Sequence, residues 1–166
     1  PGEPPASDNP TDTSAASVGT EMPAEKIPVT KQNYAHAETA RNYRNWIRLG
    51  ADKQLVHMRD LPPRGRAAPT VQMNDDTLYS VAIVEAVDGN VQFSIPEVDV
   101  YMAVHVVNVG GHGEHYVVDP LTYDLAIETD FAFLIYRTGT EKGLDASRQA
   151  QDQINSESLN FGDYEL

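Results

Sequence analysis

The chain contains no cysteine. That excludes disulfide staples, a thiolate nucleophile and a Cys-ligated zinc centre. No apolar run approaches the roughly 20 residues that cross a bilayer as a helix, so no transmembrane segment is expected. Cations are scarce: 12 Lys and Arg stand against 25 Asp and Glu, a formal charge of -13. Nucleic acid, whose phosphates demand a basic face, is therefore not an expected partner. Phosphate loops, dinucleotide fingerprints and the Gly-x-Ser-x-Gly nucleophile elbow are all missing. Apolar surface is plentiful: 40% of the 166 residues are hydrophobic, enough to build the core of one domain.

The charge is unevenly placed. Residues 26–66 hold nine Lys and Arg against three acids, whereas residues 67–136 hold no Lys or Arg and eleven acids. A basic N-terminal third is thus joined to an acidic middle. Three arrangements satisfy this pattern. The basic segment lies over the acidic part of its own domain, or copies attract one another head to tail, or clustered carboxylates bind a divalent cation.

Residues 1–29 read as an extended Pro/Ser/Thr-rich acidic tail punctuated by six prolines. Its large apolar side chains are Val18, Met22, Ile27 and Val29. Such a segment cannot bury enough surface to offset its ordering entropy, so any order is expected to be borrowed from another molecule. No basic n-region or apolar h-region is visible, and the first residue is not Met. The expectation is a secreted, extracellular or cell-envelope protein after removal of a signal peptide.

Residues 30–166 read as a single β-rich domain. Thr30 is the expected N-cap of an amphipathic helix of about five turns. Tyr34, Ala37, Ala40, Tyr43, Trp46 and Ile47 recur there at three- and four-residue steps, and Gly50 ends it. From Pro69 the period changes to two, over 71–73, 78–84, 91–95, 100–107, 116–118, 123–127 and 131–135, with turn residues between. The fold class expected is mostly β. It is an antiparallel β-sandwich or jelly-roll-like domain with an N-terminal amphipathic helix, a short C-terminal helix over about 143–154 and the extended N-terminal tail. The stretch 100–109 is apolar on both faces and should be central. Residues 161–166 suit an edge strand, on this sheet or on a neighbour's.

Several stretches carry a resemblance. Tyr34-Ala35-His36-Ala37-Glu38-Thr39, Val56-His57-Met58-Arg59 and Met73-Asn74-Asp75-Asp76-Thr77-Leu78-Tyr79-Ser80 resemble the family catalogued as domain of unknown function 1254. So do Phe93-Ser94-Ile95-Pro96, His115-Tyr116-Val117, Tyr136-Arg137-Thr138 and Gln149-Ala150-Gln151-Asp152-Gln153-Ile154. The match covers about residues 34–155 and is most specific from Asn74 to Ser80. The resemblance implies a mostly-β domain of exported or envelope-associated bacterial proteins, often continued by a second downstream domain, and no established reaction. It also implies arginine at two positions that here hold Gln72 and Asp75. The swap removes two cations and turns the local charge acidic.

The chemistry-bearing residues form no familiar constellation. His105, His112 and His115 stand near Glu114 and Asp119, but their spacing does not place them on one strand face. His115 is expected to bond the Asn-Asp motif or a backbone carbonyl, and His112 to sit in solvent. Asp75, Asp76 and Asp119 offer oxygen ligands for calcium, the one cofactor the composition suggests. Alternatively Asn74 and its neighbours cap a turn at a strand start. Ser80 shares a face with Leu78 and Ala82 and reads as a small core residue. Tyr79, Tyr101, Tyr116, Tyr123 and Tyr136 stack on sugar rings if exposed and fill the core if buried.

Three functions remain open. The first is a secreted, non-catalytic, self-assembling structural module such as an extracellular filament subunit. It would be homo-oligomeric or polymeric through Val18, Met22, Ile27, Val29, Phe161 and Tyr164. The second is a monomeric glycan- or small-ligand-binding module using Asn74, Asp76, Tyr79 and His115. The third is a hydrolase or metal enzyme around His115, Asp76 and Tyr79.

Overall fold

A computed structural model describes residues 27–61, 76–109 and 112–162. Val18, Met22, Asn74, Asp75 and Tyr164 lie outside the described residues, as does the strand expected at 71–73. Residues 1–30 and 31–166 form two units. In chain order the second unit runs α1 (Tyr34–Arg48), β1 (Val56–His57), β2 (Thr77–Glu85), β3 (Asn90–Ser94), β4 (Met102–Asn108), β5 (Gly113–Val117), β6 (Thr122–Ala126), β7 (Phe131–Gly139) and α2 (Leu144–Asp152).

The helix α1 is shorter than its periodicity suggests. Asn33, not Thr30, holds the N-cap position, and no side chain caps it. The 15 residues make about four turns. Its end follows the reading. Gly50 sits at φ +93°; its N–H donates to Ile47 O at 2.9 Å, and that of Ala51 to Trp46 O at 3.0 Å. This closure needs a left-handed residue, which glycine supplies without a Cβ clash. It also folds buried Ala51 back beside buried Trp46.

Five strands form one antiparallel sheet in the order β1-β2-β7-β4-β5, and β3 and β6 form a separate two-stranded ribbon. The sheet is covered on both faces. Ala82, Val84, Val104, Val106, Leu134 and Tyr136 pack against Val91 and Phe93 of the ribbon and Ala150 and Ile154 beside α2. Val81, Ile83 and Phe133 point the other way, against Tyr43 and Trp46 of α1. Double coverage explains why eight of the nine β2 residues are buried and why β2 and β4 read as continuous apolar runs. β4 is interior as expected, while β7 holds the middle place, between β2 and β4. The mostly antiparallel β class with two helices is as read; the second layer is only two strands wide. Among the described residues no helix is long and apolar enough to cross a membrane.

The basic segment does not lie over the acidic one. Arg41, Arg44 and Arg48 are exposed on α1, against one sheet face. The exposed acids Asp88, Asp119, Asp124 and Glu128 flank or belong to the ribbon, against the other face. Each helix or ribbon buries its own apolar stripe on the sheet, so its charged side must point outward, and the two charge populations face apart.

Candidate functional site: a tyrosine-walled cavity around Arg137

Strand register decides which side chains can meet. Tyr79 pairs with Arg137 across β2 and β7, Arg137 with Ala103 across β7 and β4, and His105 with Tyr116 across β4 and β5. Directly opposed residues share a face, and this is the face that carries α1. The helix covers its far half, over Val81, Ile83 and Phe133. The near half is left to Thr77, Tyr79, Tyr101, His105, Tyr116 and Arg137.

A cavity of about 410 Å³ opens there, lined by Asp76, Thr77, Tyr101, Tyr116, Arg137, Gly139, Thr140 and Glu141. Arg137 is half-buried. Its guanidinium lies 5.7 Å from the centre of the Tyr79 ring, a distance at which the ring face attracts a cation. Among the described residues Arg137 has no ion pair, and its buried Nε has no hydrogen-bond partner. Thr77 is only 7% exposed, and its Oγ1 also lacks a partner among the described residues. Two unsatisfied polar groups in one cavity are uncommon, because each costs free energy when dry.

The walls are held in place. The Tyr101 and Tyr116 hydroxyls hydrogen-bond each other, while both rings remain exposed at the mouth. Desolvation and then that bond push the Tyr101 hydroxyl up to about 12, against an opposing pull from Arg137. Glu141 Oε1 accepts the Tyr101 backbone N–H at 2.6 Å. A Cβ at Gly139 would collide with the Glu141 carboxylate, so only glycine lets that loop close over the strand end. Ala103 adds only a methyl group beneath Arg137. His105 is held below its ordinary range, first by burial and then by the Arg137 charge. It is therefore a neutral ring at neutral pH.

A guanidinium fork, a hydroxyl and paired phenols are suited to a planar carboxylate. They provide no nucleophile with a base.

The expected site residues are divided by this geometry. Asp76 lines the cavity and Tyr79 stacks behind Arg137. His115 does not join them. It pairs with Val106, a residue of the ribbon-side core, and its Nε2 donates to Ala126 O at 2.8 Å. The enzyme grouping of His115, Asp76 and Tyr79 therefore straddles the sheet. Asp119 lies in the β5–β6 turn, where its backbone carbonyl accepts the Tyr123 hydroxyl at 2.8 Å. Among the described residues no three His, Asp or Glu side chains converge to hold a metal. Phe161, expected at an assembly contact, packs half-buried on the domain's own core. Its neighbour Asn160 accepts the Glu85 N–H at 2.9 Å. Ile27 and Val29 are exposed.

Ser80 is fully buried, as expected, but it is not merely a small filler. Its hydroxyl lies 2.7 Å from His57 Nδ1 and accepts from Gln151 Nε2 at 3.1 Å. Burial, then Arg59, holds His57 below its ordinary range, so its Nδ1 accepts the Ser80 proton. With Ser80 0% exposed, no substrate reaches this Ser-His pair, which joins β1 and β2 to α2.

Arg137, Tyr101, Tyr116, Thr77 and Glu141 were not singled out together by sequence. The available signal was Arg137 itself: it is the first cation after Arg66, and strand alternation turns it away from core Tyr136.

The comparisons bear on identity and fold. A family profile described as "Protein of unknown function (DUF1254)" matches residues 53–158, a span that contains every residue of the cavity. No curated protein matches. The VPA0106 protein from Vibrio parahaemolyticus, a crystal structure, is similar at a TM-score of 0.51 and 12% identity, over 75% of this chain and 35% of that one. This chain thus spans about a third of that protein's length, and the likeness concerns the fold alone. With the profile spanning well over half of its residues, the chain belongs to the DUF1254 family.

Proposed function

We propose that this domain is a binding module for a small carboxylate-bearing ligand, seated on Arg137 between Tyr101, Tyr116 and Thr77. One observation carries the reading. A half-buried guanidinium without a counter-ion among the described residues opens on a ligand-sized cavity, in a chain whose net charge is -13. So many acids surround Arg137 in the sequence that an internal salt bridge was the easy solution. A cation left unpaired at a cavity is available for an incoming anion. A thermal-shift screen of small carboxylic acids, sugar acids and neutral oligosaccharides tests it. A carboxylate at about a hundred times its Kd adds roughly 2.7 kcal/mol, a rise of about 5–10 °C. The rise is absent in Arg137→Gln. Neutral sugars that stabilise both proteins equally would overturn the reading.

The outward segregation of charge favours a second reading, head-to-tail self-association of a secreted module, with the tail as an added tether. Exposed Arg41, Arg44 and Arg48 of one copy would meet the ribbon acids of the next. In this case light scattering finds polymers at low salt, and removing residues 1–28 or adding about 0.5 M salt yields monomers. Polymers that survive both changes would contradict it.

A further inference from the structure

Resting on the carboxylate-site reading, we infer that the ligand is a zwitterion: a free α-amino acid whose carboxylate meets Arg137 and whose ammonium meets Asp76 and Glu141. The argument is charge balance inside one cavity. Arg137 is the one cation among its described lining residues, and Asp76 and Glu141 are two carboxylates of the same lining. None of these carboxylates forms an ion pair with Arg137. The opposite charges are therefore held apart across the cavity rather than neutralised.

Each carboxylate has a reason to stay where it is. Glu141 is tied by its bond to the Tyr101 N–H at 2.6 Å. The backbone of Asp76 is tied by the Thr140 hydroxyl, which donates to Asp76 O at 2.8 Å. A plain dianion would gain one cation and face two like charges. A plain cation would leave Arg137 unmet and the buried Thr77 hydroxyl unused. A molecule with both charges a few bonds apart satisfies all of them. The phenol walls of Tyr101 and Tyr116 add stacking surface for an apolar or aromatic side chain, and the about 410 Å³ of space admits any of the common amino acids.

The test uses the full chain and isothermal titration with each common α-amino acid. The best binder is then compared with its N-acetyl derivative, which lacks the ammonium, and its carboxamide, which lacks the carboxylate. The parent is expected to bind best, with each derivative about thirtyfold weaker. Arg137→Gln should weaken the parent similarly. Asp76→Asn with Glu141→Gln should weaken the parent yet strengthen the N-acetyl form; both substitutions keep an acceptor oxygen and so preserve the local bonds. An N-acetyl derivative that binds wild type as tightly as its parent overturns the zwitterion while the carboxylate site stands. Absence of binding by every amino acid overturns it too. If simple carboxylates also fail, the carboxylate site falls with it.

Discussion

Replacing Gln151 with Leu is expected to cost about 2–3 kcal/mol of folding stability, lowering the melting temperature by roughly 5–10 °C. The side chain is 0% exposed and ties three elements together. Its Nε2 donates to Met58 O at 3.0 Å, to Tyr79 O at 3.3 Å and to Ser80 Oγ at 3.1 Å. Its Oε1 accepts from Arg59 at 3.2 Å. Two protons thus serve three acceptors. Leucine fills a similar volume but offers no donor, so it isolates the hydrogen bonds from any cavity. Met58 O and Ser80 Oγ lose the donor that buried acceptors require. Arg59 and Arg148 remain, each donating to a backbone carbonyl of the other's segment, but those links are half-exposed. Urea unfolding followed by circular dichroism measures the effect. A loss below about 0.5 kcal/mol would mean that α2 is not anchored through this side chain.

Trp46→Ala should cost more, about 4 kcal/mol. Trp46 is 3% exposed and, with Tyr43, forms the α1 half of the cluster over Val81, Ile83 and Phe133. Tyr43 stacks on Phe133 at 3.9 Å between ring centroids. Without Trp46 a large gap opens between helix and sheet, and the apolar face of β2 and β7 gains water. Trp46 is the chain's one tryptophan, so its fluorescence reports unfolding in the parent and circular dichroism must serve in the variant. A loss below about 1 kcal/mol would show that α1 contributes little to the core.

The strands were legible because burial repeats every two residues. Val91 and Phe93 turn inward around exposed Gln92, and the turn at Asp88-Gly89 announces itself, with Asp88 at φ 54° and Gly89 at φ 82°. Trp46 and Gly50 marked one face and the stop of α1. The start of α1 was misplaced because Thr30 is a good capping residue by type, whereas the cap position falls to Asn33 without a cap bond. The two-residue β1 was read as loop, since so short a strand has no period to detect. The site was harder. Tyr79, Ala103, Tyr116 and Arg137 come from four strands, and only register, which single-sequence patterns do not specify, brings them to one face. Gln151 looked like one polar residue in a polar helix; its burial follows from where α2 lands. His115 misled because closeness in sequence to other histidines says nothing about which side of a sheet it takes.

The central claim is that Arg137 is kept for a ligand and not for the fold. It is tested most directly by the unfolding free energy of Arg137→Met in the absence of any ligand. Met matches the stem of Arg and sheds the unpaired charge. Only the contact with the Tyr79 ring is lost, worth about 0.5–1 kcal/mol, against relief of a partly desolvated cation. The account predicts stability within about 1 kcal/mol of the parent, or above it. A fall of more than about 2 kcal/mol would make Arg137 a structural residue and contradict the account.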